Sequence, residues 1–214
     1  RSHPECARRD DEVVTLVLLA LAGGVMFGYA RGGRLAWLVR VPLRRNRLLL
    51  TAISLYVLGV LTGLLWEPML GILSGLAWLT IAFYAWVNRA VQGLALVAVG
   101  LAANAMVLLL NGAMPLSVAA AERAGADSSA LLIPTERVEL GPDTLLPWLG
   151  KTVPIAFPPR PEVVSPGDVA VAAGLALAVT VGMTGRRLDP DPDAAPAGHE
   201  TMERVAEPHG SVTL

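Results

Sequence analysis

Of 214 residues, 54% are hydrophobic and only 16% are charged, with a mean hydropathy of +0.55, against roughly 25% charged in soluble domains. That balance points away from a water-soluble globule, and a net charge of -1 excludes a global basic field of the kind that attracts nucleic acid. Cys6 is the one cysteine, so neither an intrachain disulfide nor a cysteine-based metal cluster can form.

The chain begins at Arg1 rather than at methionine, as a trimmed or misannotated start would, and residues 1–12 read as a polar tail. Apolar runs follow at 13–30, 48–66, 69–87, 90–110 and about 169–184. The first four approach or reach the roughly 30 Å of a bilayer's hydrocarbon core, for which about 17 to 25 helical residues serve. The fifth is shorter, but Val163, Val164 and Pro166 extend it, so a span over 168–184 with Asp168 near the interface is expected. A buried soluble helix explains any single run, but not several charge-free runs in succession. A cleaved signal peptide behind Arg8 and Arg9 is disfavoured, because Asp10, Asp11 and Glu12 abut the first run and no small-x-small cleavage site precedes a polar mature sequence.

Orientation follows from arginine placement. The connection 31–47 holds Arg31, Arg34, Arg40, Arg44, Arg45 and Arg47 and no acid. Positive segments resist translocation, which places that connection in the cytoplasm. The amino terminus and the Glu67 turn are then outside, the Asn88-Arg89 turn inside, 111–167 outside, and the carboxyl end inside after Arg186 and Arg187. Residues 33–43 mix Leu35, Trp37, Leu38 and Val41 with arginine, which predicts a short interfacial helix. Arg34, Arg40, Arg44 and Arg45 are its candidate lipid-headgroup contacts, although topology alone accounts for them. Trp37, Trp66, Tyr84 and Trp86 fall near span ends, as interfacial anchors do.

Gly24 and Gly28, Gly59 and Gly63, and Gly71 and Gly75 each form a G-x-x-x-G pair. Glycines four apart share a helix face and admit close backbone approach, so a tight bundle is predicted, with these faces meeting inside one chain, between copies, or against a membrane partner. Between 13 and 110 the only acid is Glu67, and there is no histidine or lysine, which leaves ion coupling and intramembrane metal chemistry without their usual groups. Gln92, Asn104, Thr51, Ser54, Thr62, Ser74 and Thr80 read as groups that bond neighbouring helices or their own backbone. Asn104 is the costliest to leave unpaired and is therefore a candidate ligand contact.

Residues 111–167 hold nine of the 16 prolines, with a short helical piece over 116–124. Leu131-Leu132-Ile133, Leu145 to Leu149 and Val153 to Phe157 are too apolar for a solvated linker, so an ordered Pro-rich cap over the outer mouth is expected. Asn111, Trp148 and Asp168, with Asn104, are its candidate ligand-binding residues.

Asn111-Gly112-Ala113-Met114-Pro115, Ala121-Glu122-Arg123-Ala124-Gly125, Leu146-Pro147-Trp148-Leu149-Gly150-Lys151 and Pro161-Glu162-Val163-Val164-Ser165-Pro166-Gly167-Asp168 carry a resemblance over about 13–184. The chain resembles an uncharacterised family of five-span bacterial membrane proteins, largely actinobacterial, a domain of unknown function. That resemblance implies a bacterial cytoplasmic membrane and supplies no activity. Ser165 to Asp168 is also loosely similar to the way the second aspartate of bacterial lipoprotein signal peptidases enters their last span. A water-activating dyad would then need Asp143 or Glu162 beside Asp168, and that family's asparagine- and arginine-bearing aspartate motif is absent. Helix capping by Asp168 is the stronger reading.

The tail 185–214 is rich in proline and acid and is expected to be disordered. His199 and His209 make a poor metal pair, and a helix over 199–206 formed against a partner is the sharper alternative. The whole therefore predicts an all-α membrane protein of five spans with an outer cap and no metal or cofactor. A non-catalytic accessory or scaffolding subunit is the leading function. Lipid or small apolar ligand binding under the cap comes second, and an aspartyl membrane hydrolase using Asp168 third.

Overall fold

The computed structural model describes residues 11–39, 41–66, 68–127, 131–132, 137–156 and 161–185. The amino-terminal tail up to residue 10, Arg40, Glu67 and the acidic tail from 186 onward lie outside the described residues, and so do the expectations that fall on them.

The described residues are mostly helical, with five long helices and two short ones: α1 (Asp11–Ala30), α2 (Leu35–Leu38), α3 (Arg47–Gly63), α4 (Pro68–Val87), α5 (Leu94–Asn111), α6 (Val118–Ala124) and α7 (Pro166–Thr184). Of these, α4, α5 and α7 are long and apolar enough to cross a membrane. Local chemistry explains where the ends depart from the sequence reading. The fourth long helix starts at Leu94 rather than 90 because Gly93 stands at φ 92°, a left-handed conformation outside the helical region. The last begins at Pro166 rather than 168, since a proline at the first helical position has its φ pre-set and needs no donor. The helix expected over 33–43 is a single turn, with Gly32 at φ 78° before it and Pro42 after it.

The long helices do not close into the expected tight bundle. They form a row in which α3 packs on α4, α4 on α5, α5 on α7 and α7 on α1, leaving α1 and α3 as its two edges. All three G-x-x-x-G faces are occupied within the chain. Gly24 and Gly28 lie against Ala176 and Met183 of α7, Gly59 and Gly63 against Leu73 and Leu70 of α4, and Gly71 and Gly75 against Gly112 and Leu109 at the end of α5. The α5–α7 seam is another small-residue contact, where Gly100 meets Gly167 and Gly93 meets Gly174. Thr180 Oγ donates across the α1–α7 seam to the Gly24 carbonyl at 3.0 Å, whereas Thr51, Thr62 and Thr80 bond carbonyls of their own helices.

Because α1 and α3 are successive long helices yet stand at opposite edges, the described residues 31–39 and 41–46 run along the row as a strap. Arg34 N–H donates to the Met183 carbonyl (2.9 Å) and Leu38 lies against Gly182, both at the end of α7. Farther along, Arg44 meets the α4–α5 turn through Asn88.

The all-α expectation holds for the long elements but not for 112–165, which contains four three-residue strands. β1 (Met114–Leu116) pairs in parallel with β2 (Arg137–Glu139), and β3 (Val153–Ile155) pairs antiparallel with β4 (Glu162–Val164). A bridge from Leu116 to Lys151 joins the two pairs. Strands this short, two of them containing a proline that cannot donate to a ladder, leave little periodicity to read. Ser117 caps α6, which packs on β3 and β4, and Leu116, Ala120, Ala121, Ala124, Leu131 and Val163 form a small apolar core of their own.

Candidate functional site

The most deeply buried polar cluster lies where α7 begins. Asn104, Ser165 and Asp168 are respectively 1%, 0% and 4% exposed, so each of their polar atoms needs a protein partner. Asn104 Nδ2 donates to Asp168 Oδ1 at 2.7 Å, and Ser165 Oγ donates to Asn104 Oδ1 at 2.8 Å. Ser165 N–H donates to Asp168 Oδ2 (3.0 Å) and Asp168 N–H donates to Ser165 Oγ (2.9 Å), which completes a capping box. The carboxylate also sits at the positive end of the helix dipole.

This geometry decides what Asp168 can do. Both of its oxygens accept bonds from donors of the same chain, and neither Asp143, which is exposed, nor Glu162, which lies buried on β4, is bonded to it. The cluster clamps helices together: Asn104 of α5 holds the first turn of α7 and the residue that follows β4. Gly167 is part of the fit, since a Cβ there would collide with the Asn104 amide. Ser165 is the member that sequence reading undervalued, and its Ser-x-x-Asp spacing was the available signal.

Asn111 and Trp148 form a second neighbourhood, seven residues nearer the carboxyl end of α5, or about 10 Å along the axis at 1.5 Å per residue. Asn111 Nδ2 donates to the carbonyls of Val107 (2.8 Å) and Leu145 (3.0 Å), and its Oδ1 accepts from Leu145 N–H (2.9 Å). Trp148 follows in a 3-10 turn (Pro147–Leu149) and is 64% exposed. The four residues predicted to share one ligand site are thus two pairs at different depths, with Asn104, Asn111 and Asp168 bonded to the protein itself.

The opposite end of the row repeats the Asn111 arrangement. Asn88 Nδ2 donates to the carbonyls of Tyr84 (2.8 Å) and Arg44 (3.1 Å), while its Oδ1 accepts from Arg44 N–H at 2.7 Å. Each asparagine therefore closes its own helix at the i−4 carbonyl and clasps both backbone groups of one distant residue. Sequence reading treated Asn88 only as part of a turn. Of the headgroup candidates, Arg34, Arg44 and Arg45 are exposed on the strap, and Arg40 falls outside the described residues. Among the described residues, no group of three or more His, Cys, Asp or Glu is placed to hold a metal ion.

A family model described as a family of unknown function, DUF5317, matches residues 40–180. The chain belongs to that family. The match takes in the second half of the strap, α3 to α6 and nearly all of α7, and therefore both asparagine clasps and the Asn104–Ser165–Asp168 cluster. In DUF5317 terms α1 precedes the matched region, whereas the sequence resemblance was drawn from residue 13. No curated protein and no solved structure matches the chain.

Proposed function

We infer that this is an integral protein of a bacterial cytoplasmic membrane with five spans, and that it serves as a non-catalytic accessory or scaffolding subunit of a membrane complex. The protein buries only 39% of the spanning window of α4 and 33% of those of α5 and α7. The remaining apolar surface suits a hydrocarbon solvent, because water-soluble monomers rarely expose such area contiguously. The apolar parts of α1 and α3 are shorter and approach the spanning range of about 17 to 25. The arginine-rich strap favours the cytoplasmic side for that end, with the amino terminus outside, the carboxyl terminus inside and 111–167 as the outer cap.

The observation that carries the scaffold reading is the saturation of Asp168. A hydrolytic aspartate must meet water or substrate, and this one holds a helix start against Asn104. A partner helix would find its best seat on α3, an edge helix whose only buried residues are Ala52 and Gly59. Purification of the native protein in mild detergent tests the reading. A stoichiometric partner protein is the expected result; recovery of the chain alone with a tightly held lipid beneath the cap would favour the ligand-binding alternative, toward which exposed Leu145 and Trp148 point. Asp168→Asn addresses the hydrolase: loss of membrane-protein processing in cells carrying stably folded variant would restore it.

A further inference from the structure

Folding places Arg89 beside arginines that lie more than forty positions earlier in the chain, because Asn88 holds the backbone of Arg44 by both its N–H and its carbonyl. We propose that Arg44, Arg45, Arg47 and Arg89 form a binding site for the phosphate of an anionic phospholipid headgroup in the leaflet at the strap end. All four side chains are exposed, and no carboxylate of the described residues bonds any of them. Among the described residues, 31–39, 41–47, 88–93 and 182–185 lie at this end and contain no acid. Arginines brought to one end by the fold, with no acid beside them among the described residues, offer a fork of donors that matches phosphate oxygens in pairs.

The surroundings suit a lipid rather than a dissolved anion. The Arg89 guanidinium stacks on the Trp86 ring at 4.8 Å from its centroid, Trp86 is 47% exposed, and Tyr84 donates its hydroxyl to Asn46 at 3.2 Å just below. An exposed tryptophan stacked with an arginine is what the boundary between acyl chains and headgroups favours. The site is also built, not merely basic: the Asn88 clasp anchors the strap backbone, and Arg45 is held at φ 61°.

The proposal rests on the membrane reading above, and the experiment separates the two. The full-length chain is reconstituted into nanodiscs of mixed phosphatidylglycerol and phosphatidylcholine, released gently, and examined by native mass spectrometry for retained lipid. Preferential retention of phosphatidylglycerol is expected, and R44Q/R45Q/R89Q is expected to weaken it on the order of a hundredfold at about one electrostatic contact per arginine. R44K/R45K/R89K, which keeps the charge, should retain a clear preference, and Arg123→Gln at the opposite end should change nothing. A glutamine variant that folds and still holds phosphatidylglycerol like the parent overturns the proposal, as does complete displacement of the lipid by millimolar inorganic phosphate. Failure of the parent to enter bilayers would instead strike the membrane reading, whereas entry without lipid preference would strike this site alone.

Discussion

Asn104 shows how much one amide can decide. Replacing it by leucine leaves an Asp168 oxygen without its donor and the Ser165 hydroxyl without its acceptor, both in a site closed to water. Abandoning buried partners costs about 1–3 kcal/mol per group, more for a charged one, so Asn104→Leu is expected to destabilise by roughly 3–4 kcal/mol. Asp168→Asn keeps the shape and an acceptor for Ser165 N–H but sets a second donor against Asn104 Nδ2, and is expected to destabilise by about 1–3 kcal/mol, less than Asn104→Leu. Thermal unfolding of detergent-purified variants checks both; an Asn104→Leu midpoint equal to the parent's would show that the cluster does not hold α5 to α7. Legibility at this scale was partial. Asp168 as a cap could be read from Ser165 and the proline at helix position one, which are local signals. Its partner 64 residues away could not, since nothing in a lone asparagine names the helix it will face.

At the scale of elements, the small-residue stripes were visible but their neighbours were not. G-x-x-x-G announces a close approach without saying to what, and in this fold each pair meets a segment of the same chain. Adjacent glycines in α1 make the point testable. A Cβ at Gly24 would stand 2.7 Å from the Ala176 carbonyl oxygen, a backbone atom that cannot swing aside, while one at Gly23 meets nothing within 4 Å. Gly24→Ala is therefore expected to lose about 1–3 kcal/mol through overpacking, and Gly23→Ala to gain up to about 1 kcal/mol from helix propensity. Unfolding midpoints moving in opposite directions would confirm the α1–α7 seam; equal effects would reject it. The strands of 112–165 escaped the sequence for a different reason. Their pairing depends on residues as remote as Leu116 and Lys151, and three-residue strands carry too little alternation to register.

Over the whole molecule, the order of helices in the row and the course of the strap are consequences of one another. Because α7 inserts between α1 and α5, the successive long helices α1 and α3 are separated, and their connection meets the end of α7 at Arg34 and the α4–α5 turn at Arg44. The proposed orientation can be tested without engineering the amino end, since Cys6 is the sole cysteine. A membrane-impermeant maleimide is expected to label Cys6 in intact cells, and a tag at the carboxyl end to become accessible only after permeabilisation. The reverse pattern would invert the topology and move the arginine strap to the outer surface.

The length and continuity of the apolar runs were enough to establish a mostly helical chain with segments able to cross a bilayer, because these features act within one helix and need no knowledge of neighbours. Which helix touches which, that α1 and α3 end as opposite edges, that Asp168 closes on Asn104, and that Asn88 clasps Arg44 were decided by tertiary structure alone. Those outcomes depend on which buried donor finds which acceptor and which backbones can come close. Such pairings are settled by competition among all the segments together, and no single stretch of sequence contains that competition.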